Sequence, residues 1–269
     1  MNTDEKLMLL ESKLQKLGRV LVAFSGGVDS TFLLAVAYKV LKENALAVTE
    51  CSEVLPTVDQ QDSAEFCRVR GITHLRLNVD ILSNDSYTQN TPDRCYICKK
   101  TLYTNLLKLA AEYNAVLIEG SNKDDLNDYR PGIKALRELG VSSPLKEAGL
   151  TKDEIRMLSR QMNLPTWSKP ASACLSSRFA YGEKITATKL AAVDAAEQIL
   201  KKNGFEQFRV RVHGNLARIE VLPEQIALAA QEPLRSVICS QFKAIGFTYV
   251  TLDLFGYRTG SMNEILKKH

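Results

Sequence analysis

Three groups of residues in this sequence are of types that do chemistry at suitable spacings. Near the N-terminus, Ser25-Gly26-Gly27-Val28-Asp29-Ser30 follows the apolar run Val20 to Phe24 and precedes a helix-forming stretch from Thr31 to Leu41. A buried strand running through two glycines into a helix presents backbone N–H groups and two serine hydroxyls at the helix N-terminus, which favours a bound phosphate. An ordinary strand-to-helix turn would also use glycines, so the pair alone is not decisive. No lysine follows as in Gly-x-x-x-x-Gly-Lys-Ser/Thr, so the machinery that cleaves the γ-phosphate is not indicated.

The second group is sulfur. Cys95 and Cys98 form a C-x-x-C pair in what reads as a polar loop after Asn90-Thr91-Pro92-Asp93, and Cys174 lies in the hydroxyl-rich stretch Lys169 to Arg178. Such a pair suits half a zinc site, a redox couple, or chance neighbours on a helix opening at Pro92. A closed zinc site wants four ligands, and His74, His213 and His269 have no zinc spacing. Three thiolates on a four-iron cluster would leave one iron open to hydrosulfide. Cys51, Cys67 and Cys239 read as packing residues, with Cys51 ending a strand near the glycine loop.

The third group is basic. Arg209-Val210-Arg211-Val212-His213, the turn Gly214-Asn215 and Leu216-Ala217-Arg218-Ile219-Glu220 alternate as a two-residue hairpin. In that register Arg211 faces Arg218, Arg209 faces Glu220, and the aliphatic side chains face a core. Facing guanidiniums repel unless an anion lies between them, which predicts a phosphate or carboxylate site. The alternative is a solvated face partly neutralised by Glu220. Glu197, on the preceding helical pattern, is a further candidate for this site.

The elements that must hold these residues alternate. Helical periodicity over Thr3 to Leu17 stops at Gly18; strands are predicted at Val20–Phe24, Ala45–Thr49, His74–Val79 and Val116–Glu119, with a helix at Thr57–Arg70. This alternation implies an α/β fold with a doubly wound parallel sheet. Ser121 to Ser143 reads as irregular, and Thr151-Lys152-Asp153-Glu154 as a capping box opening a helix to about Met162. From Lys184 onward the order becomes helix, hairpin, helix, strand. A boundary between Pro170 and Gly182 therefore divides a nucleotide-type domain, residues 1–175, from a smaller α+β domain, residues 176–269, expected to bind substrate and to mediate oligomerisation.

The chain has 269 residues, a net charge of +4, 45% hydrophobic and 25% charged residues, enough for two domains without covalent staples. With no long apolar run and no leader pattern, a cytoplasmic protein without a membrane partner is expected. Its basic residues are interspersed with acids rather than gathered in a stripe, which argues against a nucleic-acid partner and for a small anionic substrate.

The Ser25 to Ser30 loop closely resembles the signature of the PP-loop ATP pyrophosphatases, which split ATP between its α and β phosphates. The resemblance implies ATP and Mg²⁺ as cofactors, with Ser25, Gly26, Gly27, Asp29 and Ser30 around the pyrophosphate and Asp29 also counted as catalytic. It implies Ala23 and Ser52 beside the adenosine, and Gly120 and Arg130 as further nucleotide contacts. Together with Asn127 to Gly132, Ala171 to Gly182, Arg209 to Arg211, Ala217 to Glu220 and Thr251 to Leu254, the chain resembles the LarE family of pyridinium dicarboxylate sulfurtransferases over nearly its whole length.

That family implies adenylation of the carboxylates of pyridinium-3,5-biscarboxylic acid mononucleotide and their conversion to thiocarboxylates, in synthesis of the nickel-pincer nucleotide of lactate racemase. Some members sacrifice the sulfur of a single cysteine matching Cys174. This sequence also carries Cys95 and Cys98, and so is similar to the subgroup in which three cysteines hold a four-iron four-sulfur cluster that delivers sulfide. The family further implies Arg178, Arg209, Arg211, Arg218 and Glu220 around the substrate, a sulfide or sulfur donor, and a homo-oligomer, trimeric or hexameric. A PP-loop transfer-RNA thiolase is the competing reading, but it needs an RNA-binding surface that the sequence does not display.

Overall fold

The computed structural model describes residues 1–127, 131–170, 173–258 and 260–261. In chain order its strands are β1 (Val20–Ala23), β2 (Ala45–Cys51), β3 (His74–Asn78), β4 (Val116–Ile118), β5 (Phe208–His213), β6 (Leu216–Val221) and β7 (Tyr249–Leu252). The helices of its first half are α1 (Thr3–Leu17), α2 (Val28–Leu41), α3 (Thr57–Arg70), α4 (Asp85–Thr88), α5 (Arg94–Glu112) and α6 (Pro131–Glu138). They are followed by α7 (Pro144–Glu147), α8 (Lys152–Gln161), α9 (Ala187–Lys202), α10 (Ile226–Ala230) and α11 (Leu234–Ile245).

The chain divides into two compact units. One comprises Met1–Ile81 and Cys95–Ser172; the other comprises Leu82–Arg94 and Ala173–His269. The first is an α/β unit whose four strands are ordered β3-β2-β1-β4, every pairing parallel. Parallel pairing demands crossover helices, and α2 and α3 supply them between β1, β2 and β3. Leu10 and Leu14 of α1, Phe32 to Leu34 of α2 and Val20 and Val22 of β1 are buried in one core. Because β2 lies on one side of β1 and β4 on the other, the connections diverge there, leaving a crevice at the C-terminal end of β1.

In the second unit, β5 and β6 form the hairpin in the register read from the alternation, Arg211 opposite Arg218 and Arg209 opposite Glu220. Strand β7 adds in parallel to β6. Val210, Val212, Ala217 and Ile219 are buried, and α9 packs on β5 and on α11. The early segment Leu82–Arg94 is tied into this unit: Ile185 donates its N–H to the Thr88 carbonyl at 2.8 Å and Gly182 to the Asn90 carbonyl at 3.1 Å.

Two local expectations are corrected. Cys95 and Cys98 lie not in a loop but in the first turns of α5, whose Leu102, Tyr103, Leu106 and Ala110 are buried. Ser121 to Ser143 is not irregular throughout, since α6 occupies Pro131–Glu138. Helix α5 opens in a mixed polar stretch, and α6 opens on Pro131 and Gly132, a pair that reads as a breaker although proline is at home at a first helical position.

Candidate functional site

The crevice at the end of β1 is built by the glycine loop. Phe24 is held by β2: its N–H donates to Val48 O at 2.8 Å, and its carbonyl accepts from Thr49 Oγ1 at 2.8 Å. Ala23, half-buried, ends β1 just before it. Gly27 caps α2 without any side-chain hydrogen bond, so helix N–H groups of the first turn face the loop without a capping oxygen. Helix α2 starts at Val28, earlier than its apolar pattern, which brings Asp29 and Ser30 into its first turn. Ser30 Oγ accepts from Ser25 N at 3.3 Å and lies 3.1 Å from Ser25 Oγ, closing the loop on itself.

The glycines differ in what they do. Gly26 has a φ of +69°, and a Cβ there would lie 2.5 Å from Ser63 Oγ. Gly120, after β4, has room only because it lacks a side chain: a Cβ would meet Ser30 N at 3.0 Å and Asp29 C at 3.3 Å. Gly120 thus lets the end of β4 lie flush against the first turn of α2. Ser52 stands beyond the end of β2, donates to Glu50 Oε1 at 2.7 Å, and lines a cleft of about 410 Å³ with Gln60, Asn78 and Asp80 among others. Arg130 lies outside the described residues.

Charged residues that sequence reasoning missed converge on this loop. Lys152, the first residue of α8, places Nζ 2.5 Å from Asp29 Oδ2, while Asn122 Nδ2 donates to Asp29 Oδ1 at 3.3 Å. Lys169 Nζ lies 2.9 Å from Asp59 Oδ1 and donates to the Gly26 carbonyl at 3.2 Å. These contacts put two ammonium groups beside a loop with phosphate-binding geometry. The capping box at Thr151 hinted at Lys152 by fixing where α8 begins, and Lys169 opens the hydroxyl-rich stretch that carries Cys174.

Cys95 is exposed and Cys98 half-buried, neither in a disulfide, one helical turn apart on α5. Between Cys98 and the buried Tyr103 lies Lys99, its Nζ 5.0 Å from the Tyr103 ring centroid. Coupling to Tyr103, opposed by burial and reinforced by Cys98, Glu50 and Glu119, holds the Lys99 ammonium above the usual lysine range. Burial pushes the Tyr103 phenol up to about 12, so at neutral pH the two are ammonium and phenol. Cys174, a free and half-buried thiol, belongs to the other unit. Among the described residues no three Cys, His, Asp or Glu side chains gather at one point. Thiolates are the soft donors that iron–sulfur clusters take, so each of these side chains is of a type suited to such a group.

The hairpin arginines answer the anion question differently from the expectation. The counter-charge between Arg211 and Arg218 is Glu220 itself, fully buried: Oε2 accepts from Arg211 Nη2 at 2.9 Å and Oε1 from Arg218 Nη2 at 3.1 Å. No outside anion is needed to relieve the repulsion, and Arg211 and Glu220 are shielded from solvent. Arg218 also pairs with Asp253 at 3.5 Å. Arg178 is 2% exposed and forks onto Glu197, with Nε and Nη2 at 2.8 and 2.7 Å from its two oxygens. Arg178 and Arg211 therefore stand behind the surface, whereas Arg209 and Arg218 are half-buried and reach it. Arg209 lies 5.3 Å from the Tyr257 ring centroid; burial, then the nearby Arg178 charge, lowers its pKa.

Comparison with known proteins agrees with this architecture. Residues 3–126 match the NAD synthase family. The pyridinium-3,5-bisthiocarboxylic acid mononucleotide synthase of Lactiplantibacillus plantarum is 41% identical over 265 residues, which cover 98% of this chain and 95% of that protein. An uncharacterized protein of Synechocystis sp. is 46% identical over 269 residues, covering 97% of this chain and 100% of the relative. Another from Methanocaldococcus jannaschii is 29% identical over 263 residues, covering 95% of this chain and 98% of the relative.

Proposed function

This chain belongs to the LarE family, that of the L. plantarum pyridinium-3,5-bisthiocarboxylic acid mononucleotide synthase, and we propose that it makes the product for which that enzyme is named, by ATP-dependent sulfur transfer. The near full-length identity to that synthase carries the reading. In the first step a substrate carboxylate oxygen attacks the α-phosphorus of ATP and pyrophosphate leaves. In the second, a sulfide sulfur attacks the acyl carbon, AMP leaves, and a thiocarboxylate remains.

The residues at the crevice take the following parts. Ser25, Gly26, Gly27 and Ser30 surround the pyrophosphate with backbone N–H groups and hydroxyls, and Lys152 and Lys169 neutralise it. Asp29, which pairs with Lys152, would be the carboxylate to hold Mg²⁺, a hard cation suited to one carboxylate plus phosphate oxygens. Ala23 and Ser52 flank the adenosine, with Gly120 keeping β4 close and Arg130 adding a contact. Arg209 and Arg218 take the anionic groups of the substrate, while Arg178, Arg211 and Glu220 support them from behind.

Cys95, Cys98 and Cys174 would be the residues to hold a four-iron four-sulfur cluster. When bound, that cluster supplies the sulfide for transfer. The presence of Cys95 and Cys98 in addition to Cys174 supports this reading over one in which Cys174 alone gives up its sulfur. The reading includes a cytoplasmic homo-oligomer, trimeric or hexameric, domains divided near residue 175, and an external sulfide donor. No helix among the described residues is long and apolar enough to cross a membrane.

Anaerobic thiolation with ATP, sulfide and the dicarboxylate tests the proposal. Wild type should bear iron and turn over repeatedly, and Cys95→Ala and Cys174→Ala should lose both properties. Full activity in iron-free protein, with loss of the elements of H₂S at Cys174, would transfer the role to a sacrificed cysteine. Absence of ATP-dependent thiolation under any condition would end the reading.

A further inference from the structure

Arg178 is a large, fully buried cation in a unit with ample surface, which is costly unless every donor is used. Its donors serve two ends. One edge, Nε and Nη2, forks onto Glu197, whose Oε1 also accepts the Val210 N–H at 3.1 Å. The remaining nitrogen, Nη1, donates to the carbonyls of Ala173 at 2.6 Å and Cys174 at 2.9 Å and to Ser177 Oγ at 3.0 Å. The Cys174 carbonyl also accepts from Ser177 N at 3.0 Å and Ser177 Oγ at 2.8 Å. Arg211 adds a bond from Nη1 to the Ser177 carbonyl at 3.1 Å. The short stretch from Ala173 to Arg178 is therefore held through its carbonyls by two buried guanidiniums, themselves locked by Glu197 and Glu220.

From this geometry we infer that Arg178, backed by Glu197, is a positioning residue that fixes the backbone of Cys174 and so sets the direction of its thiol. A thiol that must meet a reaction partner gains from a backbone with one conformation, because the ordering entropy is then met by folding rather than at each turnover. A guanidinium suits the task because its planar fork engages a carboxylate on one edge while the opposite nitrogen reaches main-chain carbonyls. Lysine, a single point charge, can satisfy one end but not both. The inference rests on the sulfur-transfer reading for its purpose, but not for its geometry.

Its test reads Cys174 directly. The full-length chain, stripped of metal with a chelator, is treated with iodoacetamide, and alkylation of each cysteine is followed by peptide mass spectrometry. Cys239, half-buried in the same unit, reports general loosening of that unit. Cys67, which burial pushes up to about 12, reports global unfolding. In Arg178→Lys and Glu197→Gln, Cys174 should react about fivefold faster while Cys239 and Cys67 keep their wild-type rates, as expected when only a local segment opens. Should those buried-charge variants fail to fold, Ser177→Ala decides, since it removes two of the same contacts without stranding a charge.

In wild-type-like protein the thiolation kcat should fall in the variants while the KM for ATP holds. Unchanged Cys174 alkylation in every soluble variant, or Cys239 accelerating in parallel with Cys174, would overturn the inference. Failure of wild type to thiolate would remove the proposed function yet leave the alkylation result standing.

Discussion

Replacing Gly26 with alanine tests the geometry of the phosphate loop most directly. The residue has a φ of +69°, which costs an L-residue about 1–2 kcal/mol. A Cβ would also lie 2.5 Å from Ser63 Oγ, too close to persist. Ser63 Oγ, which donates to the Asp59 carbonyl at 2.8 Å, must then rotate away and give up a buried hydrogen bond worth about 1 kcal/mol. The sum is about 2–3 kcal/mol, or a fall in Tm of about 5–10 °C for a unit of this size.

The loop carrying Ser25 would shift with it, so stabilisation by added MgATP should shrink as well. A double-mutant cycle separates the two contributions. Ser63→Ala deletes the clashing oxygen and leaves its Cβ at 3.7 Å, an ordinary contact. The pair Gly26→Ala and Ser63→Ala should therefore be less destabilised than the sum of the singles by about 1 kcal/mol. Denaturant and thermal melts with and without MgATP provide the measurement. Gly26→Ala melting with wild type, or a strictly additive double mutant, would refute the reasoning.

Lys152→Met should cut pyrophosphate release about tenfold by removing a cation from the phosphate site. Because the Lys152–Asp29 pair is partly exposed, the same change should cost at most about 1 kcal/mol in a denaturant melt. Glu220→Gln leaves the buried Arg211 without its counter-charge and should cost about 3 kcal/mol by thermal unfolding, whereas Glu232→Gln, in an exposed pair with Arg235, should be close to neutral. Glu154 gives a pH signature. Burial opposes its ionisation, but hydrogen bonds from Lys6 and Thr151 hold its carboxyl down at about 2, against an ordinary 4.5. The stability it contributes is present above pH 4.5 and is lost as pH falls towards 2, so denaturant midpoints of Glu154→Gln should decline less over that interval than those of wild type.

Local patterns made much of this protein legible without coordinates. The alternation of apolar runs with helical stretches is a short-range property, and it yields the parallel sheet and the glycine loop at the end of β1. The period of two in Arg209 to Glu220 with a two-residue turn admits one register, and that register is found. The sequence by itself also determined the family, because its motifs are spread along the chain in fixed order.

Only the tertiary structure decided how the charges are spent. Glu220, opposite Arg209 in the register, gives its charge instead to Arg211 and Arg218; Lys152 reaches Asp29 across 123 positions; and Arg178 finds Glu197 on α9. Charged side chains carry no period that announces their partners, and their reach of several ångströms makes many pairings equally compatible with one sequence. The same holds for Leu82–Arg94, which joins the second unit through main-chain bonds to Gly182 and Ile185 that any sequence could make. Backbone hydrogen bonding and ion pairing across a fold depend on where the core brings segments together, and that packing is settled by the whole chain at once.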